Sequence, residues 1–439
     1  MSNLFFLFQF ILFLNLTLVN AGIYKPEQIR ISWTENKGEM RVTWVSYISV
    51  DSFVVYRPVL CLGEDTTWKT IQGTSQTFNE GEIVVKFQYI YTAVMNNLNS
   101  ECSYEYYIRN SITESEIYMF SGRTPETSPP YLETKRPLSM IVFGDLGIGT
   151  NAMAVKDILL QEAKLRNFLG IIHMGDIAYN LDQDDGTTGD GFLNIIQPLA
   201  ANYAYMAIIG NHEGYNNSTH FRTRFKMPVN QDNQGSGYFY SFNIGPVHWI
   251  VISTEVYIDN TKKASAEIQT NWLKKDLEAA NKNRENFPWI FVLTHHPLYC
   301  STHSAVTCGS EAELYQSILE DILYENSIDI MLQAHVHSYE RDKPIYKNLT
   351  VKSDYDDKHT HINAKAPLYI LSGNAGNREG HNEPLPPTYK DWGVYMADDF
   401  GFGKLFVYNE THVLWTQYSA TLMKVDDYVW LIKDQPRYN

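Results

Sequence analysis

Five short apolar runs each end at a residue able to hold a metal ion, which constrains the fold more tightly than any bulk property. The run Met140 to Phe143 ends at Asp145, and Leu169 to Met174 ends at Asp176. Ala207 to Ile209 ends at Asn211 and His212, Trp289 to Thr294 ends at His295, and Ile330 to Ala334 ends at His335 and His337. Runs of this length read as strands of a largely parallel, buried sheet. In open α/β sheets, ligands bind outside the carboxyl ends of the strands, where all these side chains fall. The expectation is carboxylate, amide and imidazole donors along one edge of one sheet, enough for more than one ion.

At 439 residues the chain is long enough for two domains. With 44% hydrophobic, 14% aromatic and only 19% charged residues it can bury a large core, which excludes a mainly disordered protein. A formal net charge of -15 argues against nucleic acid as a partner, since that binding is driven by basic surface. It leaves room for a small phosphate-bearing substrate, because bound cations reverse the local sign.

Residues 1–21 read as a cleaved signal peptide: Leu4 to Val19 is apolar apart from Gln9, Asn15 and Thr17, and too short for a membrane span of about 20 residues. No Lys or Arg precedes the stretch, and no other segment suits a bilayer. Sequons begin at Asn216, Asn217, Asn348 and Asn409, which have meaning only along the secretory route. A secreted or extracellular protein is expected, with the lysosome as the other destination. Four cysteines in an exported chain suggest two disulfides, Cys61–Cys102 and Cys300–Cys308, against the bland reading of four buried thiols.

Residues 22–125 read as an all-β sandwich. Met40, Val42 and Trp44 alternate on one face, and Tyr104 to Arg109 repeats the pattern between polar turns. Residues 126–137 form a linker that continues the Pro- and Thr-rich stretch from Thr124. From 138 to 439 strands alternate with helices, the pattern of an α/β domain. Ile268, Trp272, Leu273 and Leu277 mark one helix face, and Leu314, Ile318 and Ile322 another.

The strand ends spell GDLG (144–147), GDIAY (175–179), GNHE (210–213), VLTH (292–295) and AHVH (334–337). In this order they resemble the purple acid phosphatases among the calcineurin-like metallophosphoesterases, specifically the long two-domain type of plants and animals. Ala334, where the family pattern has glycine, is the one departure. Phe225 to Pro228, Gly237 to Phe242, Tyr339 to Arg341 and Gly373 to Gly380 carry the likeness further, from the N-terminal β-domain to about Ser419. The resemblance implies a fibronectin III-like all-β sandwich followed by a four-layer αββα domain. It also implies a binuclear centre. Asp145, Asp176, Tyr179 and His337 would hold Fe(III). Asn211, His295 and His335 would hold a divalent zinc, iron or manganese ion, with Asp176 shared. The reaction it implies is hydrolysis of small phosphate monoesters by a water activated between the two cations. His212 is the implied proton donor or phosphate ligand, with His296 and His303 as further candidates. A homodimer is compatible with the family pattern.

Two readings from other classes compete. A phosphodiesterase or nucleotidase of the same superfamily would not need Tyr179 or the β-domain. A non-catalytic binding protein would not need all seven ligand positions. Gly147, Gly149 and Ala152 match a dinucleotide fingerprint, but no acidic residue ends the next strand at the required distance, and the pattern leaves four strand ends unexplained. His173 and His248 read as core, and the loop Asp182 to Gly186 as solvated cover over the site.

Overall fold

The structure is a computed structural model that describes residues 24–434 except 60, 62, 80–86, 124–136, 230–234, 236, 384 and 387–389. The expected signal segment and nearly all of the linker lie outside these residues. No described helix is long and apolar enough to cross a membrane.

Two four-stranded antiparallel sheets make the first domain. One runs Glu27–Trp33, Met40–Ser46, Phe87–Met95, Thr74–Asn79, and the other Lys69–Gln72, Ser52–Val59, Ser103–Asn110, Tyr118–Ser121. Alternation sends Met40, Val42 and Trp44 inward from one sheet to meet Tyr104, Tyr106 and Ile108 from the other. Cys61 and Cys102 are disulfide-bonded across this domain, and Cys300 and Cys308 in the second.

The second domain has the two sheets that the four-layer αββα resemblance implies, where the apolar runs by themselves read as one. Its strands divide between two eight-stranded sheets packed face to face. Leu138–Phe143, Gly170–His173 and Ala204–Ala207 are parallel neighbours in the first, which continues through antiparallel C-terminal strands. Trp289–Leu293, Ile330–Gln333 and Leu368–Ser372 are parallel neighbours in the second. A strand covered on both faces is apolar throughout whichever sheet it joins, so the runs alone do not reveal the division. Period-two alternation reveals it in three dimensions: Phe291, Leu293, Ile330 and Leu332 face the first sheet, while Ile290, Val292 and Met331 face helices.

Those helices bury slightly different faces from the ones expected. In Lys263–Lys282, Leu273 and Leu277 are buried but Ile268 is exposed; Gln269 turns inward and pairs with both backbone groups of Ser253 at 2.8 Å. In the stretch from Val306 to Glu325 the buried residues are Ala312, Tyr315, Leu319, Glu320 and Leu323, and Leu314 is exposed. Two π-helical segments, Val306–Glu311 and Gln316–Glu320, rotate the apolar stripe away from where a uniform 3.6-residue period would place it.

Two buried charged clusters lock the layers together. Between the domains, the Asp190 carboxylate accepts hydrogen bonds from Gln28 (2.9 Å), Gln88 (2.7 Å) and Arg224 (2.9 Å). Between the two large sheets, Arg341 on Tyr339–Tyr346 grips Asp427 on Lys424–Ile432 through two bonds of 2.6 and 2.8 Å, and the Tyr339 hydroxyl adds a third at 2.8 Å.

The other face of Tyr339–Tyr346 buries two carboxyls, Glu340 and Asp342. Burial and the Glu340 carboxylate push the Asp342 carboxyl well above the ordinary range. Its proton is therefore taken up on folding, so its stabilisation is complete at low pH and is lost as pH rises through the raised value. Asp342→Asn should therefore flatten the pH dependence of stability: compared with the variant, the natural chain should have a higher denaturant midpoint at acid pH than at neutral pH. A constant difference in midpoint across that range would refute the shared-proton account.

Candidate metal centre

Backbone conformation, rather than side-chain reach, brings the donors together. Asp145 (φ 65°), Asp176 (φ 55°), Tyr179 (φ 54°) and His335 (φ 68°) all take left-handed conformations at strand ends. Such conformations are costly outside glycine and persist where surrounding structure enforces them. Here it does. The loop ends are tied across the two sheets by Gly144 N–H to Ser372 O (2.8 Å) and Ala375 N–H to Gly144 O (3.2 Å).

Two donor clusters result. In one, the Tyr179 hydroxyl lies 2.9 Å from Asp145 Oδ1 and 3.0 Å from His337 Nε2, and His337 Nε2 is 3.4 Å from Asp145 Oδ1. In the other, His295 Nε2 lies 3.0 Å from Asn211 Oδ1, 3.2 Å from Asp176 Oδ1 and 3.2 Å from His335 Nδ1. Asp176 belongs to the boundary: its carboxylate also groups with the Asp145 carboxylate and the His337 imidazole. Asp145, Asp176, Tyr179, His295 and His337 are buried, His335 is half-buried, and Asn211 is exposed. More lone pairs than protons face one another in each cluster, which is the arrangement a cation completes. The donor chemistry divides accordingly, with carboxylates and phenol in one pocket and imidazoles and amide in the other.

The imidazoles are oriented from behind. His295 Nδ1 contacts Met174 O at 2.8 Å and His337 Nδ1 contacts Gly380 O at 3.0 Å, which leaves Nε2 of each aimed into the centre. Burial alone would depress the His295 imidazole, but Asp176 outweighs it and raises it to about 10. Burial would likewise raise the Asp176 carboxyl, and the charge of His295 overrides it, holding that group below the ordinary range. Burial, reinforced by Asp145, raises the Tyr179 phenol well above its ordinary value.

Glu213, quoted in its motif but given no role by the sequence, is central. Its carboxylate accepts the backbone N–H of Asp176 (3.0 Å), Ile177 (2.8 Å) and Gly210 (2.8 Å), so one side chain fixes both the Asp176 and Asn211 loops. Gly210 has to be glycine, because a Cβ there would meet Asp176 Oδ1 at 2.4 Å. Gly144 is required for a similar reason: a Cβ there would lie 2.4 Å from the Ala334 methyl.

The three candidate catalytic histidines fall in different places. His212 lines a cavity of about 170 Å³ over the centre; its Nδ1 contacts Asn180 Oδ1 at 2.6 Å and its Nε2 faces Glu379 at 3.5 Å and Asp176 at 3.8 Å. His296 is buried away from that cavity. It stacks on His335 at 3.8 Å, and its two nitrogens face Glu255 (3.1 Å) and Glu311 (3.5 Å). His303 is exposed, and its neighbours Thr302 and Ser304 line the cavity in its stead. Glu379 and Asn382, on the loop after Leu368–Ser372, complete the wall. His173 is core, as expected, with Nδ1 2.8 Å from the Tyr205 hydroxyl.

Comparison with known proteins agrees with this geometry. The family description of a purple acid phosphatase N-terminal domain matches residues 26–122, that of a calcineurin-like phosphoesterase 138–339, and that of an iron/zinc purple acid phosphatase-like C-terminal region 366–428. Acid phosphatase type 7 of Homo sapiens is 33% identical over 423 residues, covering 93% of this chain and 91% of the human protein. The chain belongs to the purple acid phosphatase family. The Danio rerio acid phosphatase type 7 is 32% identical across 94% of this chain and 92% of its own, and purple acid phosphatase 18 of Arabidopsis thaliana 30% across 89% and 80%. The fold matches that of purple acid phosphatase PPD1 from yellow lupin seeds, with a TM-score of 0.80 at 21% identity over 94% of this chain and 75% of the lupin chain. The protein is thus an acid phosphatase of the binuclear-metal type, with Asp and His side chains that could bind the metals.

Glu213→Ala would leave three buried backbone donors without a partner, a cost of about 1–3 kcal/mol for each. It should lower bound metal to well under two ions per chain by elemental analysis, in a chain that is still folded. Full metal content in the variant would show that the two loops hold their shape without Glu213.

Proposed function

We propose that this purple acid phosphatase is an exported phosphomonoesterase whose two pockets hold unlike ions. Asp145, Asp176, Tyr179 and His337 would take Fe(III), a hard ion suited to carboxylate and phenolate. Asn211, His295 and His335 would take zinc, iron or manganese, with Asp176 common to both. The observation that carries this reading is Tyr179: its buried hydroxyl sits within 3.0 Å of both Asp145 and His337 and has no role in packing that a phenylalanine could not fill. When bound, such a pair of cations polarises phosphoryl oxygens and supplies an activated water.

The remaining steps belong to side chains. Asn180 fixes the His212 ring, so Nε2 points into the cavity where the departing oxygen of a monoester would lie. His212 is the residue to protonate that oxygen or to hold the phosphate. His296 supports the divalent pocket from beneath His335, and its contacts with two glutamates favour that role over proton transfer to substrate. The signal-like N-terminal segment and the exposed sequons at Asn216, Asn217 and Asn348 support export.

Elemental analysis and a visible spectrum test the metal assignment. Two metals per chain and a broad charge-transfer band that Tyr179→Phe abolishes are expected. A colourless protein, or one carrying zinc alone, would overturn the ferric assignment. His212→Ala should keep the colour while slowing monoester turnover by about 100-fold or more, in the range typical of a lost acid–base group. Unchanged turnover would remove His212 from the reaction.

A further inference from the structure

A second cavity, of about 540 Å³, lies where the β-sandwich meets the second domain. The sandwich contributes Arg41, Gln76 and Thr92 from three neighbouring strands. The second domain contributes Thr219, Arg222 and Lys226 from the helix Tyr215–Arg224 and the segment after it. Three cations line it, and among the described residues no carboxylate side chain does. In a chain of net charge -15 that local excess of positive charge needs an explanation.

The cations are held in place rather than left to solvate freely. Arg41 reaches across the domain boundary and donates to Lys226 O at 2.7 Å; the nearest described carboxylate, Glu35, stands 3.8 Å from its other nitrogen. The Lys226 ammonium donates to Gln76 Oε1 at 3.2 Å, also across the boundary. Arg222 Nε is buried without a hydrogen-bond partner. Burial, followed by the charges of Arg30, Arg41 and Arg222, lowers the Lys226 ammonium to about 8.

We propose that this junction is a second anion site, distinct from the metal centre, for a soluble molecule carrying two or more phosphoryl groups. Guanidinium forks match phosphoryl oxygens in pairs, an ammonium adds a point charge, and threonine hydroxyls and an amide satisfy the remaining oxygens. The volume exceeds that of a single phosphate and falls in the range of small-molecule sites. Thr219 and Arg222 lie on the segment Tyr215–Arg224, which begins two residues after Glu213 and turns through left-handed backbone at Asn216, Asn217 and Ser218, so an occupant bears on the chain that leads back to His212. The assignment stands on this groove alone and does not depend on the hydrolytic reading.

Methylenediphosphonate, which cannot be hydrolysed, is the probe, titrated calorimetrically into the metal-loaded full chain. Two sites per chain are expected. Joint substitution of Arg222→Glu and Lys226→Glu should abolish one, leave the other, and leave uninhibited monoester turnover unchanged. The milder pair Arg222→Gln and Lys226→Gln should weaken the same site by about tenfold or more, the scale of one lost charge-assisted contact. Inhibition of monoester hydrolysis by the probe should be mixed in the natural chain and purely competitive in the Glu variant. If every site that the probe occupies survives both substitutions, the proposal is overturned. If the second site is present in a chain that hydrolyses no monoester, the hydrolytic reading falls and this one stands.

Discussion

The site depends on one carboxylate that touches neither substrate space nor the donors' lone pairs. Glu213 collects three backbone N–H groups from two loops, at 2.8–3.0 Å, in a setting where any of them left unpaired would be costly. Burial and the Asp176 carboxylate push its own carboxyl up to about 8, against the opposing pull of the Ile177 and Gly210 N–H groups. The left-handed backbone at Asp145, Asp176, Tyr179 and His335 carries a conformational cost. Ties of this kind, repeated by Ser372 and Ala375 to Gly144, hold that backbone in place. Donor convergence is therefore a property of the loops' hydrogen bonding, with side chains following.

The chemistry at the strand ends was legible because it is written in short segments. An apolar run closed by glycine and a polar donor specifies a buried strand and a tight turn together, and Gly210 shows why the small residue is needed there. What long-range packing decides was not legible. Strands buried on both faces look alike in either sheet, so one edge of one sheet became the meeting of two. Local text gave no sign that π-helical turns would carry Leu314 outward, or that Gln269 would take an inward position by satisfying the Ser253 backbone.

The histidines show the same boundary. His212 was placed by its own motif, since it follows the Asn211 ligand position directly. His296 and His303 had only proximity along the chain to recommend them. The loop closed by Cys300–Cys308 turns His303 to solvent and presents Thr302, Ser304 and Thr307 to the cavity. Glu379 and Asn382 arrive from a loop more than 160 residues beyond His212, and nothing in the intervening sequence marks them as its neighbours.

The β-sandwich is usually the silent part of such an architecture, yet its contacts here are chemically specific. Asp190 is held by two glutamines of the sandwich and by Arg224, while the Arg30 guanidinium reaches the Arg224 carbonyl at 2.9 Å. Arg224 ends the segment Tyr215–Arg224, which follows Glu213 and turns through left-handed backbone at Asn216, Asn217 and Ser218, so the sandwich grips the chain that leads away from the metal loops beyond that turn. Rigid-body freedom between the domains is accordingly small, because moving one strips partners from buried charge in the other. A sandwich joined in this way acts as part of the scaffold that fixes His212 over the centre, even though none of its described residues lines the cavity above that centre.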